Sequence, residues 1–265
     1  VGGVDNWWTM ARLIQGKYLI ANTDGGQGGY THATFDSNTG FLKSSDGSGV
    51  QAWMWKRGAG FDVVCYEGDG SWGRNIRHSL NQVPEMMWIK QRSSGEEWLV
   101  YHKDLDGGTA PETHYLFLHS DAAEADSNGP WNDIAPPSTH FTLGGWNSVN
   151  GTSGNQIAFL FASVTGISKV SSYTGTGSSG LSVTTGFQPR FLLIKRADAG
   201  STNWLVFDSL GGFASGNDSQ LALNTTTAAV TNTNFGEFTS TGFTINETYA
   251  EINNNGGSYL YYAHA

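Results

Sequence analysis

Laid against itself, the chain repeats, and a duplicated segment of about a hundred residues must fold as a self-similar unit that buries part of its apolar surface on its neighbours. Tyr66-Glu67-Gly68-Asp69-Gly70-Ser71 returns as Tyr173-Thr174-Gly175-Thr176-Gly177-Ser178, and Pro84 with Ile89-Lys90 returns as Pro189 with Ile194-Lys195. Trp98-Leu99-Val100 recurs as Trp204-Leu205-Val206, Phe141-Thr142-Leu143 as Phe243-Thr244-Ile245, and Phe161-Ala162 as Tyr262-Ala263. The copies are assigned to residues 61–165 and 166–265. Residues 1–60 carry the later part of the same unit. Leu19-Ile20-Ala21-Asn22-Thr23 reads like Leu221-Ala222-Leu223-Asn224-Thr225, and Ala52-Trp53-Met54-Trp55 like Ala158-Phe159-Leu160-Phe161. The Tyr-x-Gly-x-Gly and Ile-Lys segments have no counterpart there. Residues 1–60 therefore read as the C-terminal part of a truncated first repeat, completed by an upstream segment or packed on the next module.

Period-2 alternation assigns the unit's segments to strands. Met86, Trp88 and Lys90 alternate with Met87, Ile89 and Gln91; Trp98, Val100 and His102 alternate with Leu99, Tyr101 and Lys103. Similar runs cover Phe61 to Tyr66, Tyr115 to Leu118, His140 to Leu143 and Ile157 to Ala162, each bounded by Gly, Asn, Ser or Pro. Nothing longer than one or two helical turns is expected, and Asp121 to Asp126 reads as a turn. Glycine at 36 of 265 and charged residues at 14% argue against helical bundles and disorder. The expected fold is all-β: tandem antiparallel β-sandwich modules, jelly-roll or lectin-like, with the first one partial.

The charge balance restricts partners. With 14 Lys and Arg against 23 Asp and Glu, no cationic cluster exists to meet phosphates, so nucleic-acid binding is not expected. No apolar run is long enough for a membrane span, so no membrane insertion is expected. Cys65 is the one cysteine, which excludes an intrachain disulfide and reads as a small core residue. Both Gly68-x-Gly70-x-x-Gly73 and Gly175-x-Gly177-x-x-Gly180 match the dinucleotide fingerprint literally, but strand-like residues follow where a helix N-terminus is needed. These glycines are expected to form a hairpin turn. No cofactor is expected; a loose calcium site at Asp104-x-Asp106-Gly107 is the one candidate, although Tyr115 stands where an EF-hand has its last carboxylate. No catalytic constellation emerges: the nearby carboxylate pairs Glu67 with Asp69 and Asp104 with Asp106 share a strand face without spanning a substrate.

The duplication also acts as a filter. Trp98 and Trp204, with Trp7 or Trp8 in the partial unit, recur at one strand position and read as core. Trp72 stands opposite Ser179, while Trp131 and Trp146 have no Trp counterpart. Loop tryptophans beside Asn132, Asn147, Asp and Gly suit stacking on sugar faces, with amides and carboxylates taking the hydroxyls. The expected ligand-binding set is therefore Trp72, Trp131, Trp146, Asn132 and Asn147. The alternative is that these rings cover module joints or an oligomer interface.

The unit written by Phe61-Asp62-Val63-Val64-Cys65-Tyr66-Glu67-Gly68-Asp69-Gly70, Pro84 to Lys90, Trp98 to Leu105 and Ala158 to Ser163 resembles the repeated β-rich modules of bacteriophage tail fibres and related virion proteins, of the marine and cyanobacterial phage type. The resemblance implies a non-enzymatic virion appendage, extracellular, in contact with other virion proteins and with host cell-surface glycan, and a homotrimer as fibres usually are. It carries no catalytic residues. A purely structural or capsid-decoration protein and a surface-glycan depolymerase are the alternatives.

Overall fold

The computed structural model describes residues 5–29, 33–35, 40, 42–43 and 51–265. Antiparallel strands make up nearly all of its regular structure. The first unit holds β1 (Trp8–Thr9), β2 (Leu19–Ile20), β3 (Ala33–Thr34) and β4 (Leu42–Lys43). The second holds β5 (Phe61–Glu67), β6 (Arg74–Arg77), β7 (Met86–Gln91), β8 (Trp98–His102), β9 (His114–Phe117), β10 (Ala125–Asp126), β11 (His140–Leu143) and β12 (Asn155–Phe161). The third holds β13 (Ser168–Thr174), β14 (Leu181–Thr184), β15 (Phe191–Arg196), β16 (Trp204–Asp208), β17 (Asp218–Ala222), β18 (Val230–Thr233), β19 (Gly236–Thr239), β20 (Gly242–Ile245) and β21 (Ser258–His264). Among the described residues the two α-helices, α1 (Asn128–Trp131) and α2 (Asn147–Asn150), are single turns.

Each complete unit is a large sheet backed by a small one. The large sheets run β10-β9-β8-β7-β12-β5 and β18-β17-β16-β15-β21-β13, the same path in both copies. The small sheets are β11-β6 and β14-β20-β19. The Gly-rich turn is not a hairpin: it carries the chain from β5 in the large sheet to β6 in the small one, and from β13 to β14 in the other copy. The chain turns there against backbone, since a Cβ on Gly68 would stand 2.2 Å from the Gly151 oxygen and one on Gly175 2.2 Å from the Asn254 oxygen.

The central strands of the large sheets are buried on both faces, which is why they show alternation without a polar side. Met87, Ile89, Leu99, Tyr101, Ala158 and Leu160 face the small sheet of their own unit. Their neighbours Met86, Trp88, Trp98, Val100, Ile157 and Phe159 enter a second core with Phe191, Leu193, Trp204, Val206, Leu260 and Tyr262 of the third unit and Ile14, Leu19 and Ala21 of the first. The first unit thus packs on both others.

Three indoles show how this shared core closes. The amides of Ala21, Leu118 and Leu223 donate to the carbonyls of Trp7, Trp98 and Trp204, so these tryptophans hold one position in three units. Trp98 Nε1 donates to Ile20 O at 2.9 Å, Trp204 Nε1 to Phe117 O at 2.9 Å, and Trp7 Nε1 to Ala222 O at 3.0 Å. Each unit reaches back to the one before it, and the first reaches the third. The modules form a closed triangle, not a linear string. At its centre Trp55, Phe161 and Tyr262 meet: the Trp55 and Phe161 rings lie 6.4 Å apart, Phe161 and Tyr262 lie 5.0 Å apart, and Trp55 Nε1 donates to the Tyr262 hydroxyl at 3.1 Å.

Two lysines staple the joints. Lys90 and Lys195 lie on the axial faces of β7 and β15, opposite Trp98 and Trp204, and are fully buried. Lys90 Nζ donates to the carbonyls of Gln91 at 2.8 Å, Glu96 at 2.7 Å and Asp24 of the first unit at 3.0 Å. Lys195 Nζ donates to Thr202 O and Oγ1 and, at 3.5 Å, to Asp121 O of the second unit. Burial pulls both ammonium groups down to about 8, and the carbonyls around them take the place of water.

Candidate ligand-contacting surface

The outer end of the second unit is organised by one buried amide. Asn150 is fully buried; its Nδ2 donates to Ser71 O at 2.8 Å and Gly144 O at 3.3 Å, while its Oδ1 accepts from the Asp69 amide at 3.1 Å. The Tyr66 hydroxyl donates to Val149 O at 2.7 Å, fixing the same corner. The third unit repeats the device. Asn253 Nδ2 donates to Ser178 O and Glu247 O, its Oδ1 accepts from the Thr176 amide, and the Tyr173 hydroxyl donates to Ile252 O at 2.7 Å.

On this pinned turn the second unit carries Trp72. Asp69 Oδ1 accepts from both the amide and the hydroxyl of Ser71, at 2.8 and 2.6 Å, and its other oxygen lies 3.3 Å from Arg74 Nε. Gly70 and Gly73, at φ +73° and +75°, supply the left-handed backbone on either side. The Trp72 ring is 55% exposed and lies on Gly145, where a Cβ would stand 2.4 Å from its Nε1. The third unit places Ser179 at this position on the same frame.

The five expected residues separate here. Trp131 is corrected: it is 1% exposed, set edge-on to Tyr101 at 6.0 Å, with Nε1 donating to His114 O at 2.9 Å. The reason is the short helix α1, whose N-cap Ser127 accepts from the Gly129 amide and whose left-handed Asn132 ends it, turning the indole inward. Trp146 is half-buried, edge-on to Tyr115 at 5.1 Å, with its Nε1 over Gly129. Asn132 Nδ2 approaches Gly73, and Asn147 is exposed at the start of α2. Trp72, Asn132, Trp146 and Asn147 therefore share the outer end of the unit, with Trp72 as its open ring.

The duplication filter missed Tyr249. Trp146 O accepts from the Val149 and Asn150 amides, and Tyr249 O accepts from the Ile252 and Asn253 amides, so the two aromatics are structural counterparts. Tyr249 is 54% exposed, so the third unit also displays a ring at this end. Anchoring the comparison on Asn150 and Asn253 would have revealed it.

The remaining chemical candidates resolve into packing. Among the described residues, no group of three or more His, Cys, Asp or Glu is placed to hold a metal. In the Asp104-x-Asp106-Gly107 segment, the Asp106 amide donates to Glu124 Oε2 at 2.8 Å, with Asp106 and Gly107 both left-handed. Cys65 is half-buried against the axial core, and burial pushes its thiol up. His102 is buried at the joint of the second and third units. Its Nδ1 accepts from the Asp104 amide at 3.1 Å and its Nε2 lies 3.5 Å from Tyr261 O, so the neutral ring fits the site. Burial pulls its pKa down to about 4.

A family described as "Domain of unknown function (DUF7483)" matches residues 26–265, and the chain belongs to it. Nothing among the curated proteins or the solved structures matches the chain.

Proposed function

We propose that this member of the family is a non-catalytic module of a phage virion appendage of tail-fibre type, which contacts host-surface glycan through the outer end of its second unit. The single observation that carries the reading is Trp72: a large ring 55% exposed, seated over Gly145 on a turn whose backbone is held by Asn150 and Asp69. A rigid aromatic loses little side-chain entropy on stacking, and a sugar's apolar face needs such a surface beside polar groups. Asp69, Ser71 and Asn147 supply the polar groups. In this reading the chain is displayed extracellularly, in three copies, beside other virion proteins.

The test is adsorption of the fluorescently labelled chain to a panel of intact candidate host cells, with and without a chelator. Trp72→Ala is expected to abolish adsorption and leave the melting temperature unchanged. Adsorption that survives the substitution sinks the reading. The buried indole of Trp131 and the half-buried one of Trp146 favour a second reading, a structural or decoration protein, in which Trp72→Ala would instead loosen the assembly.

A further inference from the structure

Among the described residues, the first unit shows no counterpart of the strands β5 and β7 or of β13 and β15. The axial strand of the second unit, β12, is hydrogen-bonded on one side to β5 and on the other to β7; its counterpart β21 lies between β13 and β15. The first unit's equivalent is the segment 52–56, whose Trp53 and Trp55 enter the axial core. Among the described residues, its backbone makes no hydrogen bond to another segment. Trp53 Nε1 is buried with no partner, and a cleft of about 270 Å³ runs beside Ala52 to Trp55, with Arg190 and Asp208 also lining it. Met54 is 56% exposed where Leu160 and Tyr261 are buried.

The complete units show what lies beside the equivalent strands, β12 and β21. In each, a loop of the preceding unit, after β2 in the first and after β9 in the second, grips the Ile-Lys strand at two points. The Gln27 amide donates to Arg92 O at 2.7 Å and the Glu124 amide to Ala197 O at 2.8 Å. Lys90 Nζ then reaches Asp24 O, and Lys195 Nζ reaches Asp121 O. Asn22, His119 and Asn224 index these loops, since each side chain bonds to the residue before its unit's paired tryptophan position: Asn22 to Asn6, His119 to Glu97 and Asn224 to Asn203. Counting on from Asn224 places the third unit's gripping groups at Thr226 O and the Ala229 amide. Neither has a partner among the described residues, and Ala229 is half-buried against the axial core.

We propose that the first unit accepts an Ile-Lys strand of the repeat's own kind, joined ahead of Asn6, that pairs with the 52–56 segment and is gripped by Thr226 O and the Ala229 amide. The short connections between this strand and the tryptophan strand in both complete units, residues 92–97 and 197–203, argue for supply in the same chain. The lysine ammonium sits on Thr226 O and the strand's following carbonyl on the Ala229 amide. The strand's edge satisfies backbone groups that otherwise face solvent.

The test places residues 187–202 in front of Asn6, in exchange for Val1–Asp5, so that Asn6 follows where Asn203 stands. Hydrogen exchange at Ala229 and at Trp53 to Trp55 is expected to slow about tenfold or more, with a rise in melting temperature. The same fusion with its lysine changed to Met is expected to lose the protection at Ala229. If the fusion fails to fold, the same segment added as a peptide is read by the same amides. Unchanged exchange, a lysine-independent effect, or a concentration-dependent dimer of the unfused chain that protects 52–56 overturns the proposal.

Discussion

The second and third units build the same corner and finish it differently. Asn150 and Asn253 make matching bonds, and Tyr66 and Tyr173 donate to matching carbonyls, yet the turn they hold displays Trp72 in one unit and Ser179 in the other. The position one corner away carries a half-buried Trp146 in one and an exposed Tyr249 in the other. Buried amide and phenol groups are retained because each unmet bond is costly, whereas an exposed side chain on a fixed turn changes at little cost to the fold. The frame is the constant and the ring is the variable.

The largest expected effect lies at the joints. Lys90→Met leaves the carbonyls of Gln91, Glu96 and Asp24 without this donor and should cost about 4 kcal/mol in urea unfolding. Lys195→Met should cost less, because its reach to the neighbouring unit is the longer one at 3.5 Å. Equal costs would break the idea that the two joints differ.

His102 gives the next effect, in acid. Its folded pKa of about 4 lies below the ordinary value of about 6.5, so the unfolded chain takes up the proton first. Stability is lost as pH falls from 6.5 towards 4, by about 3 kcal/mol in all. Between pH 7 and pH 4.5, urea melts should show a larger loss of stability for the protein than for His102→Gln; equal losses would mean that this ring is not responsible.

Smaller changes compare the corners directly. Asn150→Ala and Asn253→Ala should each cost about 2 kcal/mol by thermal unfolding, since each leaves a backbone amide and two carbonyls without this partner. A large disparity would mean that the corners are alike in geometry alone. Trp7→Phe removes the indole bonds to Ala222 and Thr225 while keeping a ring, and should cost about 1 kcal/mol. Trp72→Ala should change stability by under about 0.5 kcal/mol, its effect confined to adsorption.

Much of the architecture was legible in particular residues. The alternation in Met86 to Gln91 and Trp98 to His102 located β7 and β8 because side chains on a strand alternate between faces. Duplication identified Trp98 and Trp204 as core, and the structure shows both buried. The site was less legible. Trp131 and Trp72 occur in similarly polar, Gly-containing stretches, and only the inward turn of α1 separates the buried ring from the open one. Tyr249 escaped notice because sequence spacing alone did not reveal that it shares Trp146's place before the Asn anchor.

The sequence by itself determined a thrice-used β unit, its strands, and the tryptophan that recurs in it. Only the tertiary structure decided that the units close on one another, with Trp7 reaching Ala222 across 215 positions of chain. The physical reason lies in the acceptors. Ile20, Phe117 and Ala222 are chosen through their backbone carbonyls, which every residue type provides, so no side chain announces the contact.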